Sequence, residues 1–200
     1  AKEYHFYRTE ALAVLAYKRG DIDRIEEVSS RDLLPNWKQT TIRATVRYDR
    51  IVGLYFNMRD SVMQEKNLRQ ALAYATPEFQ EETAFSPISK TSWAYNDKVK
   101  QYLYDETQAK KFMESVKLPD GFPGVIITTF PQYVDQANKI AESWTKLGVP
   151  TKIKIANSID NSFQVLLSAQ DLPPDPDQYP FWHSKAETNI TGYVNLKIDK

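Results

Sequence analysis

The sequence predicts an α/β protein, and three observations carry that class. Residues 124–167 run through an apolar strand, an amphipathic helix, an alternating strand and a further apolar segment, at the spacing of a βαβα unit. Residues 40–58 are rich in β-branched and aromatic side chains, as strands are. Apolar residues recur at helical spacing in three other places, and a hydrophobic fraction of 42% over 200 residues is enough for a real core in one or two domains.

In chain order, Ala11, Leu12, Leu15 and Ala16 mark a helix that Gly20 stops, and 20-GDID-23 reads as a turn into a short extended piece. Residues 40-TTIRATVRYDR-50 and 51-IVGLYFNM-58 read as two strands. Leu68, Ala71, Leu72 and Ala75 share one helical face, ended by Pro77. The segment 85-FSPISKTSWAYN-96 has no period and reads as an ordered loop. At 105-DETQAKKFMESV-116, Asp105 is positioned to cap a helix and Gln108 lies three residues on, as in a capping box; Ala109, Phe112, Met113 and Val116 form the buried stripe.

Next, 124-GVIITTF-130 is a strand bounded by Gly124 and Pro131. Val134, Ala137, Ile140, Ala141, Trp144 and Leu147 make the best amphipathic helix, stopped by Gly148. Residues 149-VPTKIKIA-156 alternate like a strand, and Ile159, Phe163, Leu166 and Leu167 suggest a final helix. Units of this kind bind ligands beyond the carboxyl ends of their strands, so Thr128, Thr129 and Phe130 are expected to face a crevice.

Basic and acidic residues balance at 26 each, which gives no electrostatic footprint for nucleic acid or an anionic membrane. The lack of cysteine excludes disulfides and thiolate chemistry and is compatible with an oxidising compartment. No run of about 18 apolar residues is present to span a membrane, and AKEYHFYRTE is too polar for a secretory signal. The chain is therefore cytosolic, mature, or cut from something longer. Asn189-Ile190-Thr191 matches a glycosylation sequon, read here as a chance match.

The richest stretch for chemistry is 173-PPDPDQYPFWHS-184. Asp175 and Asp177 share a face if extended, as metal-binding or catalytic carboxylate pairs do. Aspartate also favours turns, and Asp177 is well placed to cap a short helix over 178–184; this structural reading outweighs the other. His183 lacks the converging partners that a metal site needs. Trp93, Tyr95, Tyr179 and Trp182 sit in loops, where they either meet a ligand or pack beneath their own loops. Glycine-rich phosphate loops, a GxSxG elbow and HExxH are all absent, which lowers the expectation of an enzyme.

Four stretches in order carry a family resemblance: 20-GDID-23, 67-NLRQALAYAT-76, 102-YLYDETQAKKFMES-115, and 175-DPDQYPFWHS-184 followed by 189-NITGYVNLKID-199. The chain resembles the family 5 extracellular solute-binding proteins, receptors of ABC importers for dipeptides, oligopeptides, nickel and other small solutes. The resemblance implies a type II periplasmic-binding-protein-like architecture, of which this chain is mainly the second lobe, a mixed sheet flanked by helices. Residues 1–50 would be the end of the first lobe and a hinge crossing, 51–191 the second lobe, and 192–200 the start of the return crossing.

It further implies binding rather than catalysis, with no cofactor, no resident metal and no nucleic acid. The partners would be a peptide or other small solute and the transmembrane subunits of a permease. Membrane contact would come only through an anchor of the full-length protein, whose family is exported and often lipid-anchored. The implied pocket wall is Trp93, Thr129, Phe130, Asp171, Asp175, Tyr179 and Trp182, the aromatics supplying buried area and one aspartate orienting a cationic group. Asp171 stands close to the position of the acid that holds the ligand amino group in peptide-binding members, whereas 128-TTFPQY-133 lacks the arginine those members carry nearby. The alternatives are a metal-dependent enzyme using the Asp175/Asp177 pair, and an interaction module without a small ligand.

Overall fold

The computed structural model describes residues 2–26, 28, 33–34, 37, 40–80, 82–197 and 199. They fall into two compact units, Ala1–Thr45 and Val46–Lys200.

In the first unit the stripe at 11–16 becomes helix α1, Glu10–Arg19. Thr9 Oγ1 accepts the Leu12 amide at 3.3 Å, satisfying one donor of the first turn. Gly20 ends the helix in the left-handed region at φ 81°. Val14 and Ala16 are buried, whereas Leu12 and Leu15, expected in the stripe, stand exposed.

The two strands expected over 40–58 are one. Residues 40–49 carry no strand, and β1 is Arg50–Phe56. Strand propensity makes a strand only where a neighbour pairs with the backbone, and β1 has such a neighbour along its whole length. That neighbour corrects a second expectation. The segment around 159–167 is not a helix: Val165–Asp171 is strand β4. Its residues Val165 to Ser168 are all buried. A strand covered on both faces reads as a continuous apolar run, which periodicity does not separate from a buried helix.

Between them, helices α2 (Lys66–Tyr74) and α3 (Glu106–Met113), strand β2 (Val125–Thr129), helix α4 (Val134–Lys146) and strand β3 (Thr151–Ile155) form where the periodicity predicts them. The sheet order is β1-β4-β2-β3. β2 is parallel to β3 and β4, and β1 is antiparallel to β4. This is the mixed sheet flanked by helices that the resemblance implies.

One face of the sheet carries the main core. Val125, Ile127, Val165 and Leu167 pack with Leu68 and Leu72 of α2, Ala109 of α3, and Ile140 and Trp144 of α4. Removing this much apolar surface from water is what chiefly holds such a layer together. The interhelix polar contacts are satisfied inside it. Trp144 Nε1 donates to the Leu72 carbonyl at 2.9 Å, and Ser143 Oγ donates to the Ala75 carbonyl at 2.6 Å. Two of the carbonyls left over at the end of α2 thus find donors on α4.

Asp105 caps α3 as expected, its carboxylate accepting the Gln108 amide at 2.9 Å. The other half of a capping box is replaced: the Asp105 amide donates to the Tyr74 carbonyl at 2.9 Å, docking the start of α3 on the end of α2. The opposite sheet face is covered by a small cluster of Tyr55, Phe163, Leu166 and Ile190.

The sequon is part of that cover. Asn189 is buried, its amide donates to the His183 and Tyr193 carbonyls, and its oxygen accepts the Thr191 hydroxyl at 2.9 Å. An amide held this way is not open to glycosylation, in keeping with a chance match.

Candidate functional site

Because β2, β3 and β4 are parallel, their carboxyl ends emerge at one edge of the sheet. Thr129 pairs with Ile155 and with Leu167, so β4 runs four residues beyond the end of β2, roughly 13 Å of extended chain. Among the described residues β1 alone accompanies it there, and the two make a ribbon ending in the pair Arg50 and Asp171. The amide of Leu172 still donates to the Asp49 carbonyl at 2.7 Å.

Of the sequence-predicted residues, Thr129, Phe130 and Asp171 lie at the strand ends of this edge. Thr129 is fully buried, with its hydroxyl donating to the Leu167 carbonyl at 3.0 Å, so it ties β2 to β4. Phe130, partly buried, begins the turn Pro131–Tyr133 that leads into α4. Asp171 is exposed at the end of β4, and Arg50 Nε lies 2.6 Å from its Oδ1. The Arg50 guanidinium holds the Asp171 carboxyl below its ordinary range.

The segment after β4 turns twice on its own acids. Asp175 Oδ1 accepts the Asp177 amide at 3.0 Å, and Asp177 Oδ1 accepts the Tyr179 amide at 2.9 Å. The short helix α5, Tyr179–Trp182, follows. Asp177 therefore serves the first helical amide as expected, from one residue outside the formal cap Gln178. Among the described residues no group of three or more His, Asp or Glu gathers as a metal site would require.

The aromatics of this segment are oriented. Tyr179 is 58% exposed and stacks on His183 with ring centroids 4.2 Å apart. Trp182 Nε1 donates to Gln178 Oε1 at 3.1 Å. His183 Nδ1 accepts the Lys185 amide at 3.1 Å.

Trp93 is 88% exposed on the 82–96 loop. Local bonds stiffen that loop: Ser86, Ser89 and Ser92 each accept an amide two residues on. Glu82 ties it to the start of β1, accepting the Tyr48 hydroxyl at 3.1 Å and pairing with Lys90. Since β1 starts where β4 ends, this loop is anchored at the same edge.

Sequence reasoning missed the polar residues that fix the edge. Arg47 grips Asp49 through two bonds, of 3.0 and 2.8 Å, and holds that carboxyl below its ordinary range. Tyr55 lies over Gly53 and donates to Gln170 at 2.8 Å; burial pushes its phenol up to about 12. At the other end of the ribbon Asn57, buried, donates to the Asn161 and Phe163 carbonyls and positions the entry to β4. The partners lie more than 100 residues apart in sequence for each of these long-range bonds, so no local motif marks them.

The mixed sheet of order β1-β4-β2-β3, with helices packed on it, makes this unit an α/β lobe. Residues 3–191 match the pattern of the family described as bacterial extracellular solute-binding proteins, family 5 Middle. Heme-binding protein A of Haemophilus influenzae is 31% identical over 116 residues, covering 50% of this chain and 21% of that protein. The dipeptide-binding protein of Escherichia coli K12 is 31% identical over 116 residues, covering 50% of this chain and 22% of that protein. The crystal structure of the ABC transporter substrate binding protein CtaP from Listeria monocytogenes has the same fold, with a TM-score of 0.80 at 20% identity, over 96% of this chain and 44% of that one. The chain thus spans less than half the length of the Listeria protein, and its match spans about a fifth of each curated relative. The chain belongs to the family 5 bacterial extracellular solute-binding proteins. Among the described residues no helix is long and apolar enough to cross a membrane.

Proposed function

We propose that this chain is mainly the second lobe of a receptor that binds a peptide or related small solute and hands it to an ABC permease outside the cytoplasm. What supports this reading is the match of residues 3–191 to the family 5 pattern, together with Tyr179 and Trp93 standing exposed and Phe130 and Trp182 partly so on the loops of this unit. Rigid aromatics on stiff turns supply contact area at little entropic cost. Asp175 and Asp177 act through the turns that aim them. The first lobe would close over the carboxyl edge of the sheet, and higher affinity for the closed form would drive the motion. The named relatives, a dipeptide-binding and a heme-binding protein, favour a compact organic solute. The full-length receptor would be held at the outer face of the membrane by a lipid anchor or retained in a periplasm.

The test is calorimetry on the full-length protein with peptides of two to five residues. One saturable site per chain is expected, weakened at least tenfold by Trp182→Ala, about 1.4 kcal/mol. Saturable binding of a different solute with no response to any peptide would refute the peptide reading.

A further inference from the structure

β3 is the outer strand of the order β1-β4-β2-β3, and among the described residues β2 is its one strand partner. The ladder between them begins with the Val125 amide on the Pro150 carbonyl and ends with the Ala156 amide on the Thr129 carbonyl, each at 2.8 Å. The even-numbered residues of β3 therefore face β2, and the backbone amides and carbonyls of Thr151, Ile153 and Ile155 point away from it. A row of this kind is a template for a further strand. The two faces beside it differ. Thr151 and Ile153 turn toward α4, where with Ala141, Glu142, Thr145 and Lys146 they line a groove of about 490 Å³. On the other face Lys152 and Lys154 stand exposed. Asp160 Oδ2 lies 3.9 Å from the Lys154 ammonium, while its Oδ1 holds the Ser162 amide and hydroxyl.

We propose that the free edge of β3 docks an extended segment of a partner polypeptide in which acidic residues alternate with apolar ones. The added strand exchanges backbone bonds with Thr151, Ile153 and Ile155. Because side chains alternate between faces, its acids lie beside Lys152 and Lys154 while its apolar residues lie beside Ile153 and over the groove. Opposite charges on neighbouring strands stabilise the pairing and like charges oppose it. The same rule disfavours a second copy of this chain as the occupant. Antiparallel pairing of β3 with itself about Ile153 sets Lys152 across from Lys154 of the copy, twice over. Lysines on the edge thus guard it against self-association and leave it open to an acidic strand. This inference does not rest on the solute reading above, since it concerns the flank of the sheet and a polypeptide held by its backbone.

The experiment is hydrogen exchange read by mass spectrometry on the full-length protein. The probes are Val-Glu-Val-Glu-Val and Val-Lys-Val-Lys-Val at about 1 mM, each acetylated and amidated so that all charge sits on the alternating side chains. The acidic peptide is expected to slow exchange across residues 150–156 at least about threefold, and the basic peptide to leave it unchanged. Lys152→Glu with Lys154→Glu should reverse that preference, and Lys152→Gln with Lys154→Gln should abolish it. No slowing by the acidic peptide overturns the proposal, as does equal slowing by both peptides in the wild type or a preference that survives both double variants. Protection confined to other segments overturns it as well, because a peptide held there is not on β3. Amides of 151, 153 and 155 already protected before peptide is added would show the edge covered by the protein's own chain or by a second copy, and likewise overturn it.

Discussion

Gly124, immediately before β2, is where one methyl group should do most damage. Its φ is 100°, a conformation side chains rarely adopt, and a Cβ built there lies 2.1 Å from the Pro150 carbonyl oxygen. That oxygen accepts the Val125 amide at 2.8 Å, the bond that starts the parallel pairing of β2 with β3. Restoring ordinary contact needs roughly 1 Å of backbone movement, and the oxygen cannot move away without loosening its bond. Gly148 supplies the control, since its φ is 95° and nothing lies within 4 Å of its built Cβ. Gly148→Ala should cost about 1 kcal/mol: strain of about 1 to 2 kcal/mol, offset in part by the stiffer unfolded chain. Gly124→Ala adds the displaced strand and a hydrogen bond worth about 1 kcal/mol, for a total of about 3 kcal/mol or more. Urea unfolding of both variants, followed by far-ultraviolet circular dichroism, measures the difference. Two variants within about 0.5 kcal/mol of each other would refute the claim that close approach of the strands, beyond φ alone, requires glycine here.

Other outcomes follow from single bonds. Asp105→Ala should lower stability by about 1 kcal/mol in urea through loss of the α3 cap, and Asp105→Asn should recover most of it, since asparagine caps as well. Asp177→Ala should cost about 1 kcal/mol through the Tyr179 amide; unchanged stability with lost solute binding would instead make Asp177 a ligand contact. Asp171 should titrate below the ordinary aspartate range by NMR and return toward it in Arg50→Gln. Its native value is depressed, so whatever stability the pair contributes is present above the unfolded-state pKa and is lost as pH falls through the native one.

How much of this is legible in the sequence depends on how far each interaction reaches along the chain. α2, α3 and α4 are each set by one buried face, and α2 and α3 also by side-chain caps within a turn, so their spacing announces them. β4 reads as a helix because a central strand buried on both faces has no alternation to display, and Ile159, Phe163, Leu166 and Leu167 happen to fit helical spacing. The 175–182 turns are legible, since Asp175 and Asp177 act on amides two residues away. Arg50 is not, since its partner is 121 residues distant and the pair forms only once β1 and β4 are in register.

The same contrast explains why the edge divides into local and long-range parts. Residues that aim side chains outward, Asp175, Asp177 and the serines of the 86–92 loop, act on their own turns, so their loops can vary without disturbing the sheet. Residues that fix where the edge stands bridge distant strands. Thr129 bonds Leu167, Tyr55 bonds Gln170, and Arg50 bonds Asp171, so changing one moves the frame for every loop it carries.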